Sequence, residues 1–121
     1  MNIGTTGSAG EEYAAEVLTR KGYEIITRNY RSRFGEIDII CKNDKFIAFV
    51  EVKTRSSEKY GEPKEAVNFH KQKKILSVAK YYLAKQKEDT LCRFDVIEVK
   101  YNKENNKMTE INHIEDAFWC N

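Results

Sequence analysis

Proline occurs once, histidine twice and cysteine three times in the 121 residues, and no apolar run approaches the ~20 residues of a membrane span. Cys41, Cys92 and Cys120 are odd in number and widely spaced, so they form neither a disulfide framework nor a zinc pattern; they suit a reducing cytoplasm. His70 and His113 stand alone and add no metal signature, and ordinary surface or packing roles are expected of both. The opening MNIGTTGSAGEE lacks a basic stretch followed by an apolar one, so no secretory signal is expected. Repeats, low-complexity tracts and linker composition are also lacking, which leaves one domain over residues 1–121. The net charge of +2 is too small to imply a nucleic-acid partner by itself.

What is present is an ordinary globular composition, 40% hydrophobic and 33% charged, with its basic residues clustered. Arg28, Arg31 and Arg33 gather in TRNYRSR, and Lys71, Lys73 and Lys74 in HKQKK. Each cluster is either a solvated face or a surface that grips phosphate. SAGEEYAAEVLTRKGY reads as a helix capped by Ser8, with Glu11 and Glu12 in its first turn and Gly22 at its end. Its apolar stripe is Ala14, Ala15, Val17 and Leu18. Glu11 falls on the side of Ala15 and Leu18, an unusual place for a free carboxylate. YEIITRNY, GEIDIICK and KFIAFVEVK follow as strands, the last two joined by a two-residue turn at Asn43 and Asp44. After a polar loop containing Pro63, Asn68 caps a second helix, FHKQKKILSVAKYYLAKQK. Its inward stripe is Phe69, Gln72, Leu76, Ala79 and Leu83, widened by Ile75 and Tyr82. LCRFDVIEVK is a fourth strand and KMTEINHIEDAF holds a short fifth. The order α, β, β, β, α, β with a last strand implies an α/β fold, a mixed sheet flanked by helices.

The second and third strands carry four ionisable groups where a hairpin should be apolar. Alternate residues share a face, so Glu36 and Asp38 form one same-side pair and Glu51 and Lys53 another. With Asn43 and Asp44 as the turn, Lys42 faces Lys45, Asp38 faces Phe49 and Glu36 faces Glu51. All four charged groups then project to one side, and any even loop length preserves this. Like charges directly opposed are destabilising, and unpaired buried charge is costly. Lys53 brings one positive charge against three carboxylates, which leaves a divalent metal as the natural remainder. Oxygen donors without histidine or thiolate suit Mg²⁺ or Mn²⁺. The expected ligands are Asp38, Glu51 and the Val52 carbonyl, and the expected chemistry is an acidified water and a polarised phosphoryl oxygen. Lys53 would stabilise charge developing on a phosphate or orient the attacking water. The competing reading is a salt-bridge ladder on a half-exposed sheet. Against it, FIAFVEV is apolar on both faces, as a strand covered on both sides should be.

An acid at Asp38, followed on the next strand by Glu51-x-Lys53, resembles the PD-(D/E)xK nucleases. GSAGEEYAAEVLTRKGYEIITRNYRSRFGEIDII, FVEVKTR, KQKKI and RFDVIEV resemble the YraN family of small bacterial proteins over nearly the whole chain. The resemblance implies a restriction-endonuclease-like core similar to archaeal Holliday junction resolvases. In those resolvases a helical glutamate before the first strand joins the site, and Glu11 occupies the matching place. Ile37 rather than proline precedes Asp38, as is common in the resolvase branch. The function implied is a metal-dependent endonuclease acting on branched or damaged DNA, with Glu11, Asp38, Glu51 and Lys53 as its catalytic residues. Arg28, Arg31, Arg33 and Arg55 would hold phosphates, which position a substrate without reading its sequence. One alternative is a non-catalytic nucleic-acid-binding module, against which the intact quartet argues. Another is an interaction subunit whose charged pocket binds metal only for stability. Cleaving both strands of a symmetric junction would need a homodimer.

Overall fold

The computed structural model describes residues 6–56, 69–86 and 90–118. The elements run α1 (Thr6–Arg20), β1 (Glu24–Ser32), β2 (Gly35–Lys42), β3 (Ile47–Ser56), α2 (Phe69–Ala84), β4 (Cys92–Asn102) and β5 (Lys107–Phe118). This is the expected α/β order, with the last strand present and twelve residues long rather than short. The strands form one sheet in the order β1-β2-β3-β4-β5. Only the β3–β4 pairing is parallel. A parallel pair needs a long crossover, and α2 lies within that connection.

The central strand is covered on both sides, as its unbroken apolar run requires. Ala48, Val50 and Val52 of β3 pack with Ala14, Ala15 and Leu18 of α1, together with Ile39, Cys41, Ile97 and Val99. Ile47 and Phe49 face the other way, onto Ile75, Val78 and Ala79 of α2, with Ile40, Phe94, Val96 and Phe118. The expected stripe of α2 packs inward at Ile75, Leu76, Ala79, Tyr82 and Leu83, with Val78 added to it, while Phe69 and Gln72 are not part of that core. Phe69 is 70% exposed, because it sits at the first turn, beyond the edge of that core.

Helix α1 already includes Ser8, so Ser8 does not cap it, and Glu11 and Glu12 lie beyond its first turn. Its end is as expected. The Leu18 carbonyl accepts from Lys21 N and Tyr23 N, at 3.1 and 3.0 Å, and Gly22 takes φ +97°, a conformation open to glycine. Asn68 and Pro63 lie outside the described residues.

The β2–β3 turn is four residues long, because Lys42 pairs with Ile47 rather than Lys45. The Asn43 side-chain oxygen accepts from both Lys45 N and Phe46 N, at 2.9 and 3.0 Å, and so folds the turn around itself. The register is therefore two residues from the expected one, and Phe49 faces Ile40 instead of Asp38. Four is still an even loop, so Asp38 and Glu51 keep their common side.

Candidate active site at the fork of the sheet

The β2–β3 ladder ends at the Ile39–Val50 pair. Beyond it Ile37 joins the α2-side cluster while Ile39 joins the α1-side cluster. Residues two apart should share a face, so β2 turns over at Asp38 and the strands part. Asp38 Oδ2 accepts the Val52 N–H at 2.8 Å, a side chain serving a backbone group where the two strands separate. The fork opens a cleft of about 360 Å³ lined by Glu11, Glu36, Asp38, Glu51, Val52, Lys53, Thr54, Lys71 and Tyr101. The four expected catalytic residues thus line one hollow.

Helix α1 delivers Glu11 through close contact at Gly10. A Cβ at Gly10 would overlap the Thr54 hydroxyl of β3, so the missing side chain lets the helix lie flat on the strand. Beside Glu11 stands Asn29, which adopts φ 54°, a left-handed conformation that asparagine tolerates. Burial raises the Glu11 pKa, the Asp38 charge adds to this, and Arg28 and the Asn29 side chain oppose it.

Burial also dominates the two central acids. Asp38 is 7% and Glu51 5% exposed. Burial raises Asp38 against the Val52 N–H bond and the Lys71 charge, which pull it down. Glu51 is pushed up to about 7 by burial and then by the Asp38 charge, despite bonding to Lys71. Lys53 is lowered by burial and by neighbouring Lys71. Burial also acts to lower Lys71, but its bond and attraction to Glu51 outweigh this and raise it. A fold that holds Glu51 above its ordinary value stabilises the protonated form. That stability is present at acidic pH and lost as pH rises through about 7. The protein in EDTA should therefore melt at higher temperature at pH 5 than at pH 8. The span is up to ~3 kcal/mol at 1.36 kcal/mol per pKa unit. Asp95, lowered instead, acts only at more acidic pH. Circular-dichroism melts across this range test the sign, and Glu51→Gln should flatten the profile. A melting temperature that climbs from pH 5 to 8 would contradict the assignment.

Lys71 is the cation that sequence reasoning left in a surface cluster. It reaches back from the first turn of α2 to Glu51, and the signal available was only the KQKK run. Glu98 was also missed. It lies beside Lys53 in the parallel register, 1% exposed, with the Arg55 guanidinium 2.8 Å away. That contact is an ion pair without hydrogen-bond alignment, and neither Glu98 oxygen has an aligned donor.

Each of the four expected phosphate-binding arginines has a different partner within the protein. Arg28 pairs with Glu12 of α1 at 2.8 Å, and Arg31 with Glu36 at 2.9 Å. Arg33 lies over the Phe34 ring, and Arg55 is held by Glu98. Glu36, expected as a fourth member of the charged group, is thus balanced by Arg31 at the rim. His113 proves to be a packing residue, its Nε2 2.7 Å from Oδ2 of fully buried Asp95.

Among the described residues no three His, Cys, Asp or Glu side chains are grouped so as to hold a metal ion. The donors available at the fork are the Asp38 and Glu51 carboxylates and the backbone of Val52. This hard-oxygen set fits Mg²⁺, which commonly takes one or two carboxylates and completes its shell with water and substrate oxygens. Burial is the main cause of the raised pKa values of Asp38 and Glu51, and a bound cation would offset the cost of holding both carboxylates charged there.

No helix among the described residues is long and apolar enough to cross a membrane. A UPF0102 protein from Caldicellulosiruptor bescii is 51% identical over 120 residues, covering 98% of this chain and all of the relative. UPF0102 proteins of Caldanaerobacter subterraneus and Clostridioides difficile are 46% and 50% identical over 119 residues, each covering 98% of this chain and 98% and 100% of themselves. The solved structure of Pyrococcus furiosus SfsA in complex with Ca²⁺ matches at 14% identity and a TM-score of 0.37. The match covers 91% of this chain and 62% of that one. The model of the uncharacterised protein family UPF0102 matches residues 10–113, and the chain belongs to that family.

Proposed function

We propose that the protein is a metal-dependent endonuclease of the restriction-endonuclease-like type, hydrolysing phosphodiester bonds of DNA. The observation that carries this reading is the convergence of Glu11, Asp38, Glu51 and Lys53 from three elements on one cleft, with Asp38 and Glu51 buried. Asp38, Glu51 and the Val52 carbonyl would hold Mg²⁺ or Mn²⁺, which when bound supplies charge to polarise the phosphoryl group and acidify a water. Hydrolysis adds water to phosphorus and breaks one P–O ester bond, so negative charge grows on the phosphoryl and leaving oxygens. Lys53 faces that charge, while Lys71 shares Glu51 and keeps its carboxylate from repelling the substrate. Glu11, its pKa raised by burial and the Asp38 charge, assists from the helix side. The free thiol of buried Cys41 suits a cytoplasmic protein.

The test is cleavage of linear, flapped and four-way DNA with Mg²⁺ or Mn²⁺, beside melting with and without the ion. Cleavage is expected in at least one arm, together with a metal-dependent rise in melting temperature at pH 8 that Asp38→Asn removes. Melting and calorimetry without any response to millimolar metal would remove the two-carboxylate site. Binding of DNA and metal without cleavage of any substrate would favour the non-catalytic module. A cut four-way substrate would call for a homodimer, measurable by light scattering.

Arg31 and Arg33, the more exposed of the four arginines, are the ones we assign to phosphate. Replacing each with alanine should reduce the slope of log affinity against log salt by about one unit. Unchanged slopes would return both residues to the solvated surface.

A further inference from the structure

The turn between β1 and β2 is made by Arg33 and Phe34, and it projects Phe34 beside α2. Phe34 and Tyr81 are 40% and 38% exposed, and their rings meet edge-on at 6.0 Å. Each ring carries a cation: Arg33 lies 4.9 Å from the Phe34 centroid and Lys85 lies 4.3 Å from that of Tyr81. Helix α2 contains Lys71, Lys73, Lys74 and Lys80 and no acidic residue. At 3.6 residues per turn Lys71, Lys74, Tyr81 and Lys85 fall along one side of it. Lys74 lines a hollow of about 140 Å³ with Gly35, Glu36, Asp38, Glu51 and Lys71, so the stripe runs directly into the cleft. From Lys71 to Tyr81 the helix rises about 15 Å, a span fit for a few nucleotides.

Exposed rings interleaved with cations and free of helical carboxylates match the chemistry of unpaired nucleotides. Bases stack on aromatic faces without regard to sequence, and phosphates take the cations. A duplex hides its base faces and gains only the second of these. We propose that Phe34 and Tyr81, flanked by Arg33, Lys74 and Lys85, form a stacking platform for an unpaired strand, so that the substrate is single-stranded or has a single-stranded arm. This rests on the nuclease reading of the cleft, but the platform is measurable without cleavage.

The test uses the full chain in EDTA and fluorescence anisotropy. The probes are labelled oligo(dT) of about 12 nucleotides, oligo(U) of equal length, and a duplex of that length. Phe34→Leu combined with Tyr81→Leu keeps apolar surface and removes both rings. Affinity for oligo(dT) or oligo(U) should fall about tenfold or more, the loss expected when stacked bases lose their rings, with duplex affinity changed less than about twofold. Phe34→Tyr and Tyr81→Phe, which keep the rings, should retain tight binding. Preference between the two oligonucleotides reports the sugar. Equal loss for duplex and single strand, no loss, or no binding of either oligonucleotide by the wild type would each overturn the platform. Ring-dependent binding by a protein that cuts nothing would keep the platform and reject the nuclease. Cleavage indifferent to both rings would do the reverse.

Discussion

Lys53→Ala should cut DNA about a hundredfold or more slowly than wild type in a single turnover, the scale seen when one electrostatic stabiliser is removed. The effect comes from differential interaction. Asp38 and Glu51 would be engaged by metal in ground state and transition state alike, whereas charge opposite Lys53 grows only as the P–O bond breaks. Removing the ammonium should therefore lower the rate and leave DNA and metal affinity nearly unchanged. The site is built to survive the substitution, because Lys71 still pairs with Glu51 and Asp38 still bonds Val52 N. Glu11→Gln should show a milder loss, since Glu11 sits at the rim of the same cleft. Anisotropy and calorimetry on the same preparations separate binding from chemistry. Equal single-turnover rates for wild type and Lys53→Ala would make Lys53 a structural residue.

The strands and the site were legible in the sequence to different depths. GEIDIICK stands over its whole length as β2, whereas KMTEINHIEDAF, expected to hold only a short strand, is strand throughout as β5. The clustering of Asp38, Glu51 and Lys53 followed from parity alone. Parity survives any even loop, so an error in the turn left the site intact. The error itself was physical: Asn43 folds a four-residue turn by accepting two backbone N–H groups, a choice invisible to strand alternation. The departure at Asp38, where β2 turns over, also lies beyond a period-two pattern. The α2 stripe was right from Ile75 to Leu83 but ran too far toward the N-terminus, because where the helix leaves the core depends on how it crosses the sheet, and sequence spacing alone allowed Phe69 on it. Lys71 and Glu98 were hidden for a related reason. Each acquires its meaning from a partner on another element, Glu51 and Arg55 respectively, and nothing in the local sequence names that partner.

Arg55→Ala should destabilise the protein by ~3 kcal/mol or more, the cost of leaving a buried carboxylate unpaired. Glu98 is 1% exposed, and among the described residues the Arg55 guanidinium at 2.8 Å is the nearest cation, with Lys100 4.0 Å away. Neither Glu98 oxygen has an aligned hydrogen bond, so charge balance rests on Arg55 rather than on geometry. Removing both charges should cost far less than removing one, since a buried pair is often replaceable by apolar residues of like volume. Arg55→Met with Glu98→Met should therefore be more stable than Arg55→Ala, and a double-mutant cycle with the single variants Arg55→Met and Glu98→Met isolates the coupling. Arg55→Lys should recover part of the loss, because it restores charge without the planar fork. Urea unfolding measures all five variants, and the same proteins can be titrated with DNA in EDTA. If Arg55 belongs chiefly to the phosphate surface, Arg55→Ala will unfold at the wild-type urea concentration and bind DNA more weakly, with a reduced salt slope. If it belongs chiefly to Glu98, the midpoint will fall sharply while DNA affinity of the folded protein holds. The burial of Glu98 and the closeness of the pair favour the second outcome.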